Sequence, residues 1–399
     1  MNSTAGGDRH ALHVVQVGWD TALLTAGAPS DARLRQGQYS RLLCEKRPGS
    51  RMTILVVGAS EASEPYHDGN LTVIPIAGRW ASVARLPRAL SSIAACDPIS
   101  VIATQSPFEE AWAALAFSRG RVPLIAQVHF DLTAEAALPK GVRLREALGR
   151  LRRRAAESLL VRCAAVRTVT PGMAAHIRAL GAGDVRCIPV PIPDLDVLAT
   201  AVRIARDPDA PRILFVGRLA PEKNLSLWLE VARRVGEQAP AARFDIVGDG
   251  TLRPELEATA KQLGIADKVT FHGAKGRAEL PALFARASVF LLTSDHEGFG
   301  RVLIEAMAAG VPVVATRTRG AREVLEEAGV GLLAEPGDAE GLSRAVLGPL
   351  SDPAYRTRLA AAAADHVAER YRPEALAAAW VDMLIETVDR HPPHPSHRS

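Results

Sequence analysis

At 399 residues, with 48% hydrophobic and 23% charged positions, the chain is globular and too long for one ordinary core, so two domains are expected. Four cysteines (Cys44, Cys96, Cys163, Cys187) with no CxxC pair argue against a disulfide framework or a zinc site and fit a reducing cytoplasm. The formal net charge of +4 hides an asymmetry, because residues 1–190 carry 23 Lys and Arg against 15 Asp and Glu, while the remainder carries 25 against 29.

A basic first half points to an anionic partner or surface on that side. Aromatic residues make up only 5%, and no binding-fold signature is present, so nucleic acid is not the expected partner. The first apolar run, Ala11 to Val17, is too short for a signal peptide or a membrane span.

Strands are expected at 13–18, 52–57, 71–76, 100–104, 123–128, 166–170 and 185–189, with helical stretches between them. Near-continuous apolar strands separated by helices imply a parallel sheet covered on both faces, with ligands beyond the carboxyl ends of the strands. Two polar sets fall there. One is the loop Gly27-Ala-Pro-Ser-Asp31 running into Arg33, where an N-capping Asp is the simpler explanation. The other is Gln127-Val-His-Phe-Asp131. His129, beside Asp131, is either a hydroxyl-orienting group or a structural histidine bonded to backbone.

The stretch Gly141–Arg167 reads as a basic amphipathic helix, with Arg143, Arg145, Arg150, Arg152, Arg153, Arg154 and Arg162 around an apolar stripe of Leu144, Leu148, Leu151 and Leu159. Such a helix either lies on anionic lipid or packs on the core with a solvated face.

Ile188-Pro-Val-Pro-Ile-Pro-Asp194 is a semi-rigid connector, after which a new strand–helix alternation begins. Ile213–Val216 leads into Gly217-Arg218-Leu-Ala-Pro-Glu-Lys223-Asn224, where Arg218 and Lys223 share one loop at a strand end and Asn224 can cap the next helix. Phe244–Val247 exits through Gly248-Asp249-Gly250, and Lys268–Gly273 contains Thr270 and Phe271. Val289–Leu292 is followed by Glu297-Gly298-Phe299-Gly300 and a helix from Arg301 to Ala309 that carries Glu305. Glycines, backbone N–H groups and a helix N-terminus make an anion site, so phosphate is the expected guest. An amphipathic helix over 373–388 and a Pro/His-rich tail close the chain.

Several segments agree with one family. EGFGRVLIEAMAAG from Glu297 resembles the E-x7-E element of the retaining glycosyltransferases of family four, and FVGRLAPEKN resembles their phosphate loop. IVGDG, VTFHG, GVPVVAT and GLLAEPGD follow in the family's order, while PLIAQVHFDL, TQSPFEEAW and SDARLRQGQYSRLL resemble its first domain in polysaccharide-type members.

The resemblance implies a GT-B fold: an α/β protein of two Rossmann-like doubly wound parallel-sheet domains facing across a cleft. The domains are expected at 1–190 (acceptor side) and 191–370 (donor side), with a helix at 371–390 returning to the first domain and a disordered tail at 391–399. It implies that Arg218 and Lys223 bind a donor diphosphate, that Glu305 holds the ribose and that Glu297 contacts the sugar. Backbone of Phe299 and Gly300 lies near sugar and phosphate, Gly217, Gly248 and Gly298 allow close approach, and Thr270 and Phe271 flank the base.

His129, Arg218, Lys223 and Glu297 are then the catalytic set. Asp31, Arg33, His129 and Asp131 lie on the acceptor side. The reaction expected is metal-independent transfer of a sugar from a UDP- or GDP-sugar, with no cofactor, to a carbohydrate or lipid-linked hydroxyl. The setting expected is cytoplasmic, with peripheral contact to an anionic membrane.

Two departures from the family pattern stand out: Gly27-Ala-Pro-Ser replaces a Gly-Gly pair, and Arg319-Gly320-Ala321-Arg322-Glu323 replaces Gly-Gly-x-x-Glu. A nucleotide-sugar epimerase, a sugar phosphorylase and a non-catalytic nucleotide-sugar-binding subunit are the competing readings.

Overall fold

The computed structural model describes residues 10–25, 30–78, 81–130, 132, 143–200, 210–326 and 329–392. They fall into two compact units, Met1–Pro193 with Pro373–Ser399, and Asp194–Arg372.

The first unit contains β1 (His13–Gly18), α1 (Asp31–Lys46), β2 (Arg51–Ala59), β3 (Tyr66–Asp68), β4 (Leu71–Ala77), α2 (Ala81–Cys96) and β5 (Val101–Thr104). It continues with α3 (Glu109–Ser118), β6 (Leu124–Val128), α4 (Arg143–Leu160), β7 (Ala165–Thr168), α5 (Pro171–Ala179) and β8 (Val185–Cys187). The eight strands run in the order β3-β4-β2-β1-β5-β6-β7-β8. Pairing is parallel throughout except between β3 and β4.

Every residue of β1, β5, β6 and β7 is buried, as a parallel sheet covered on both faces requires. The short antiparallel β3, Tyr-His-Asp with two exposed residues, has no apolar run to announce it. The strand expected over 166–170 stops at Thr168 because Thr170 caps α5 by accepting from the Met173 N–H, and Pro171 starts the helix.

The second unit holds α6 (Leu195–Thr200), β9 (Arg212–Val216), α7 (Leu225–Gln238), β10 (Arg243–Val247), α8 (Arg253–Gln262), β11 (Val269–Gly273) and α9 (Leu280–Arg286). Then follow β12 (Val289–Leu292), α10 (Arg301–Ala308), β13 (Val313–Thr316), α11 (Arg319–Leu325), β14 (Gly331–Ala334), α12 (Ala339–Ser351) and α13 (Pro353–Arg370). Its six strands pair in parallel in the order β11-β10-β9-β12-β13-β14. The strand order reverses between β9 and β12, so this sheet's switch point lies beyond their carboxyl ends.

The last helix, α14 (Pro373–Arg390), belongs to the first unit. Ala377, Trp380, Val381, Met383 and Leu384 on it join Val14, Tyr39, Leu43, Ile54 and Val101 in one core. The Trp380 ring lies 6.4 Å from that of Tyr39, and the Arg167 guanidinium sits over the Trp380 ring at 4.7 Å from its centroid. At the solvent edge Arg47 and Lys46 pair with Asp389 and Asp382.

The basic stretch expected as one helix over Gly141–Arg167 is not one element. The helix ends at Leu160, and Arg167 is a buried residue of β7 that donates to the carbonyls of Ile188 and Pro189 and to Gln127 Oε1. A buried guanidinium is tolerated because backbone carbonyls, an amide oxygen and an indole face replace its water. Among the described residues no helix is long and apolar enough to cross a membrane.

Candidate functional site

Four loops meet at the carboxyl edge of the second sheet. The loop after β9 (217–224) is fastened to the one after β10: Gly217 N–H donates to Val247 O (2.9 Å) and Leu219 N–H to Asp249 O (3.0 Å). Gly248 has φ +135, and a Cβ built there would stand 1.8 Å from Gly217 O, so only glycine fits.

The loop after β12 is sewn to the same segment. Asp295 N–H donates to Glu222 O (3.0 Å), and Thr293 Oγ1 lies 3.1 and 3.0 Å from the carbonyls of Lys223 and Asn224. Asn224 caps α7 by accepting from Leu227 N–H and spends its amide nitrogen on Asp295 Oδ1 (2.9 Å). From the far side Gly320 N–H donates to Glu297 O (3.0 Å). A Cβ on Gly320 would stand 2.6 Å from that same carbonyl, so α11 reaches the loop only through a residue without a side chain.

Within this frame Lys223 Nζ lies 2.7 Å from Glu297 Oε2, and both side chains are 16% exposed. The other carboxylate oxygen accepts from Gly300 N–H at 3.2 Å. Glu297 therefore bridges a cation and the entry to α10, whose N-cap Gly300 (φ 75) supplies no side chain to satisfy the first turn. The Phe299 ring is buried against Tyr371 (centroids 6.2 Å apart), so this residue offers the site its backbone and not its face.

The remaining expected donor residues are placed differently. Arg218 is 80% exposed and pairs with Glu222 at 2.9 Å. Glu305, on α10, lies 3.1 Å from Arg301. Thr270 is exposed in the middle of the edge strand β11, with Phe271 partly buried beside it, and it is Gly273 whose carbonyl accepts from Gly248 N–H (2.8 Å). Arg319 pairs with Glu323 at 3.3 Å while Thr318 caps α11. Asn224, Thr293, Asp295 and Gly320 hold these loops together; Asn224 closes the FVGRLAPEKN segment and Gly320 lies within Arg319–Glu323, whereas nothing in the sequence marks the contacts of Thr293 and Asp295.

In the first unit His129 follows β6 directly. Burial, then the positive charges of Arg167 and Arg35, pull its pKa down to about 3, so the ring stays neutral, and its Nδ1 has no hydrogen-bond partner among the described residues. Asp131 and Gly27 lie outside the described residues. Ser30, not Asp31, caps α1, because its hydroxyl is the one that accepts from Arg33 N–H while Asp31 is the first helical residue. The Arg33 guanidinium donates to the carbonyls of Leu23 (3.2 and 2.8 Å) and Thr25 (2.7 Å) and lies over the Tyr66 ring, which commits much of it to the fold.

Sequence reading did not single out Glu110. It is fully buried beyond β5, its pKa raised by burial against the opposing hydrogen bonds of Ser106, its own backbone and Trp19. Nearby, Phe108 stacks on Phe130 with centroids 5.3 Å apart.

Both units match known families. Residues 200–366 match the family model described as Glycosyl transferases group 1, and residues 15–193 match the Glycosyl transferase 4-like domain. The lipopolysaccharide core biosynthesis glycosyltransferase LpsE of Rhizobium meliloti is 30% identical over 226 residues, 54% of this chain and 62% of that protein. The 2-deoxystreptamine glucosyltransferase of Streptomyces kanamyceticus is 39% identical over 147 residues, 36% of this chain and 37% of that protein. The chain thus aligns with less than two thirds of these curated relatives.

Among solved structures, sucrose-phosphate synthase of Thermosynechococcus elongatus superposes with a TM-score of 0.76 at 19% identity, covering 95% of this chain and 100% of that one. HepE of Anabaena, crystallised with UDP and glucose, gives 0.69 at 18% identity, covering 94% and 100%. With one family model on each of its two parallel-sheet units and these folds as neighbours, the chain belongs to the group 1 glycosyltransferases and has the GT-B fold.

Proposed function

We propose that this protein transfers a glycosyl group from a nucleoside-diphosphate sugar to an acceptor hydroxyl, with retention of the anomeric configuration and without a metal ion. The observation that carries the reading is the Glu297 carboxylate, held between Lys223 Nζ and Gly300 N–H at the switch point of the second sheet. A carboxylate there satisfies hardware suited to an anion: a cation, a loop N–H and an uncapped helix entry. A donor diphosphate takes over those donors, and Glu297, released from Lys223, is free to accept from sugar hydroxyls.

In the proposed reaction the acceptor oxygen bonds to the anomeric carbon as the bond from that carbon to the phosphate oxygen breaks. The acceptor proton passes to the departing phosphate oxygen on the same face. Negative charge grows on the diphosphate, and Lys223, the exposed Arg218 and the α10 entry stabilise it most at that moment, which is what lowers the barrier. Glu305 is assigned to the ribose hydroxyls. Neutral His129, on the acceptor-side unit, is assigned to a hydroxyl of the reacting sugar as a hydrogen-bond partner and not as a cation. The HepE structures, solved with UDP and with UDP-glucose, support a uridine donor as the first to try, with GDP-sugars second.

The test is a thermal-shift panel of UDP-, GDP- and ADP-sugars, then nucleotide release with and without carbohydrate acceptors, and assignment of the product's anomeric configuration by NMR. One donor is expected to raise the melting point by mass action and to release nucleotide faster with acceptor. An inverted product would overturn retention. Donor conversion indifferent to any acceptor would overturn transfer.

A further inference from the structure

We infer that the exposed half of α4 is a docking surface for an anionic lipid membrane, which makes the acceptor a membrane-presented amphiphile. The assignment of the acceptor rests on the glycosyl-transfer reading above, whereas the docking itself does not.

The argument starts from one apolar stripe. At about 100° per residue, Leu148, Leu151, Ala155 and Leu159 share one side of the helix. At the C-terminal end the stripe does what a core helix does, since Ala156, Leu159 and Leu160 are buried. At the other end the same stripe leaves the body of the unit, where Leu148 is 55% and Leu151 65% exposed. A helix whose only task was to cover the sheet would hide these leucines or replace them with polar residues. Leaving two large apolar side chains one turn apart in water costs solubility and yields no packing.

The charge on the flanks selects the occupant. Between Leu148 and Ala156 the helix carries Arg150, Arg152, Arg153 and Arg154 and no acidic residue. Arg152 is used internally, gripping Glu109 through two hydrogen bonds of 2.8 and 2.9 Å, and Arg153 lies 3.5 Å from Glu157. Arg150 and Arg154 are exposed, with no ion-pair partner among the described residues. Apolar side chains on one side with unpaired arginines around them match the boundary of a bilayer rich in anionic headgroups, the leucines entering the acyl edge and the arginines meeting phosphate. The helix lies on the surface and does not cross it, as the absence of a spanning helix among the described residues also requires.

The docking helix is joined to the acceptor side of the unit. The Arg152 guanidinium lies 3.9 Å from the centroid of the Phe108 ring, whose own neighbour is Phe130, the residue after His129. One rigid stack of guanidinium and two aromatic rings thus connects α4 to the loop that carries His129, so a surface bound by Leu148 and Leu151 lies on the same body as the acceptor-side histidine.

The experiment is co-sedimentation of the full chain with phosphatidylcholine vesicles and with phosphatidylcholine–phosphatidylglycerol vesicles, at low and high salt. The wild-type protein is expected to bind only the anionic vesicles and to be released by salt. Leu148→Glu with Leu151→Glu, and separately Arg150→Glu with Arg154→Glu, should each weaken binding about tenfold or more. Both pairs are exposed, so their circular dichroism and their donor-induced thermal shift should match wild type. Equal binding by either double variant, or no binding of anionic vesicles by wild type, overturns the proposal. A wild-type dimer that becomes monomeric in the leucine variant, without lipid binding, overturns it in favour of a second copy as the occupant. Nucleotide release with a soluble acceptor, measured on the same samples, reports on glycosyl transfer independently of vesicle binding.

Discussion

Lys223 and Glu297, 74 residues apart in sequence, close an ion pair of 2.7 Å in which each side chain is only 16% exposed. The carboxylate would be an odd neighbour for a diphosphate unless the pair opens on donor binding. Lys223→Met should therefore lower kcat/KM by about 10²–10³ through lost stabilisation of the leaving group. Glu297→Gln, which keeps an oxygen for Gly300 N–H, should bind free nucleoside diphosphate at least as tightly as wild type while transferring sugar more slowly. Titration calorimetry with UDP, alongside steady-state rates, separates the two effects. Tighter UDP binding by Lys223→Met would contradict the role given to the lysine.

Gly248 tests the interlock between the β9 and β10 loops. With φ +135 and a Cβ position 1.8 Å from Gly217 O, Gly248→Ala must displace the loop that carries Arg218 and Lys223. Backbone strain of this kind costs about 1–3 kcal/mol. Donor KM is expected to rise well before stability fails, because the displaced loop carries Arg218 and Lys223, the residues assigned to the donor diphosphate. A variant with wild-type donor kinetics would overturn that assignment.

His129 should leave its mark on stability and not on the pH–rate profile near neutrality. Its folded pKa, about 3, lies below the ordinary value of 6.5. Above pH 6.5 the ring is neutral in both folded and unfolded chains, and its contribution is fully present. As pH falls from 6.5 toward 3 only the unfolded chain takes the proton, so stability drops by about 1.4 kcal/mol per pH unit from this group. The raised pKa of Glu110 acts in the opposite sense, since there the folded state binds its proton first. Urea melts between pH 7 and 4 of wild type and His129→Asn measure the difference, and the variant's curve should be the flatter one.

Removal of residues from Pro373 onward takes Trp380, Met383 and Leu384 out of the first unit's core. Loss of the Trp380 side chain alone is worth about 3–5 kcal/mol, a large share of a domain's stability. The truncated chain should lose cooperative unfolding of the first unit, while a fragment spanning 194–372 retains its own melting transition. Calorimetry of both distinguishes them.

The fold was readable because parallel strands buried on both faces leave near-continuous apolar runs, and β1 to β12 were anticipated to within a few residues apart from β3. That strand has no such run and pairs only at the sheet edge. That Lys223 and Glu297 lie in loops at strand ends was readable, because each loop follows an apolar strand run and carries glycine or proline, and the structure brings the two side chains to 2.7 Å. What supports them was not readable. Asp295 holding the Asn224 amide and Gly320 backing the Glu297 carbonyl depend on chain segments that meet only after folding. The same holds for α4: its leucine stripe suggested either a core or a membrane face, and only the burial of Leu159 beside the exposure of Leu148 and Leu151 divides the stripe in two.

The position of α14 also sets an order of events during synthesis. The first unit begins to leave the ribosome before the second, yet its core lacks Trp380 until the final helix has emerged. The second unit, Asp194–Arg372, is continuous in sequence and is finished earlier. The first unit's sheet must therefore wait, with a gap along α1 where apolar surface is exposed, while a whole domain is made and folded within its chain. Slower translation through 194–372 is therefore expected to lower the yield of folded chain, because the gap stays open to chaperones or to a second chain for longer.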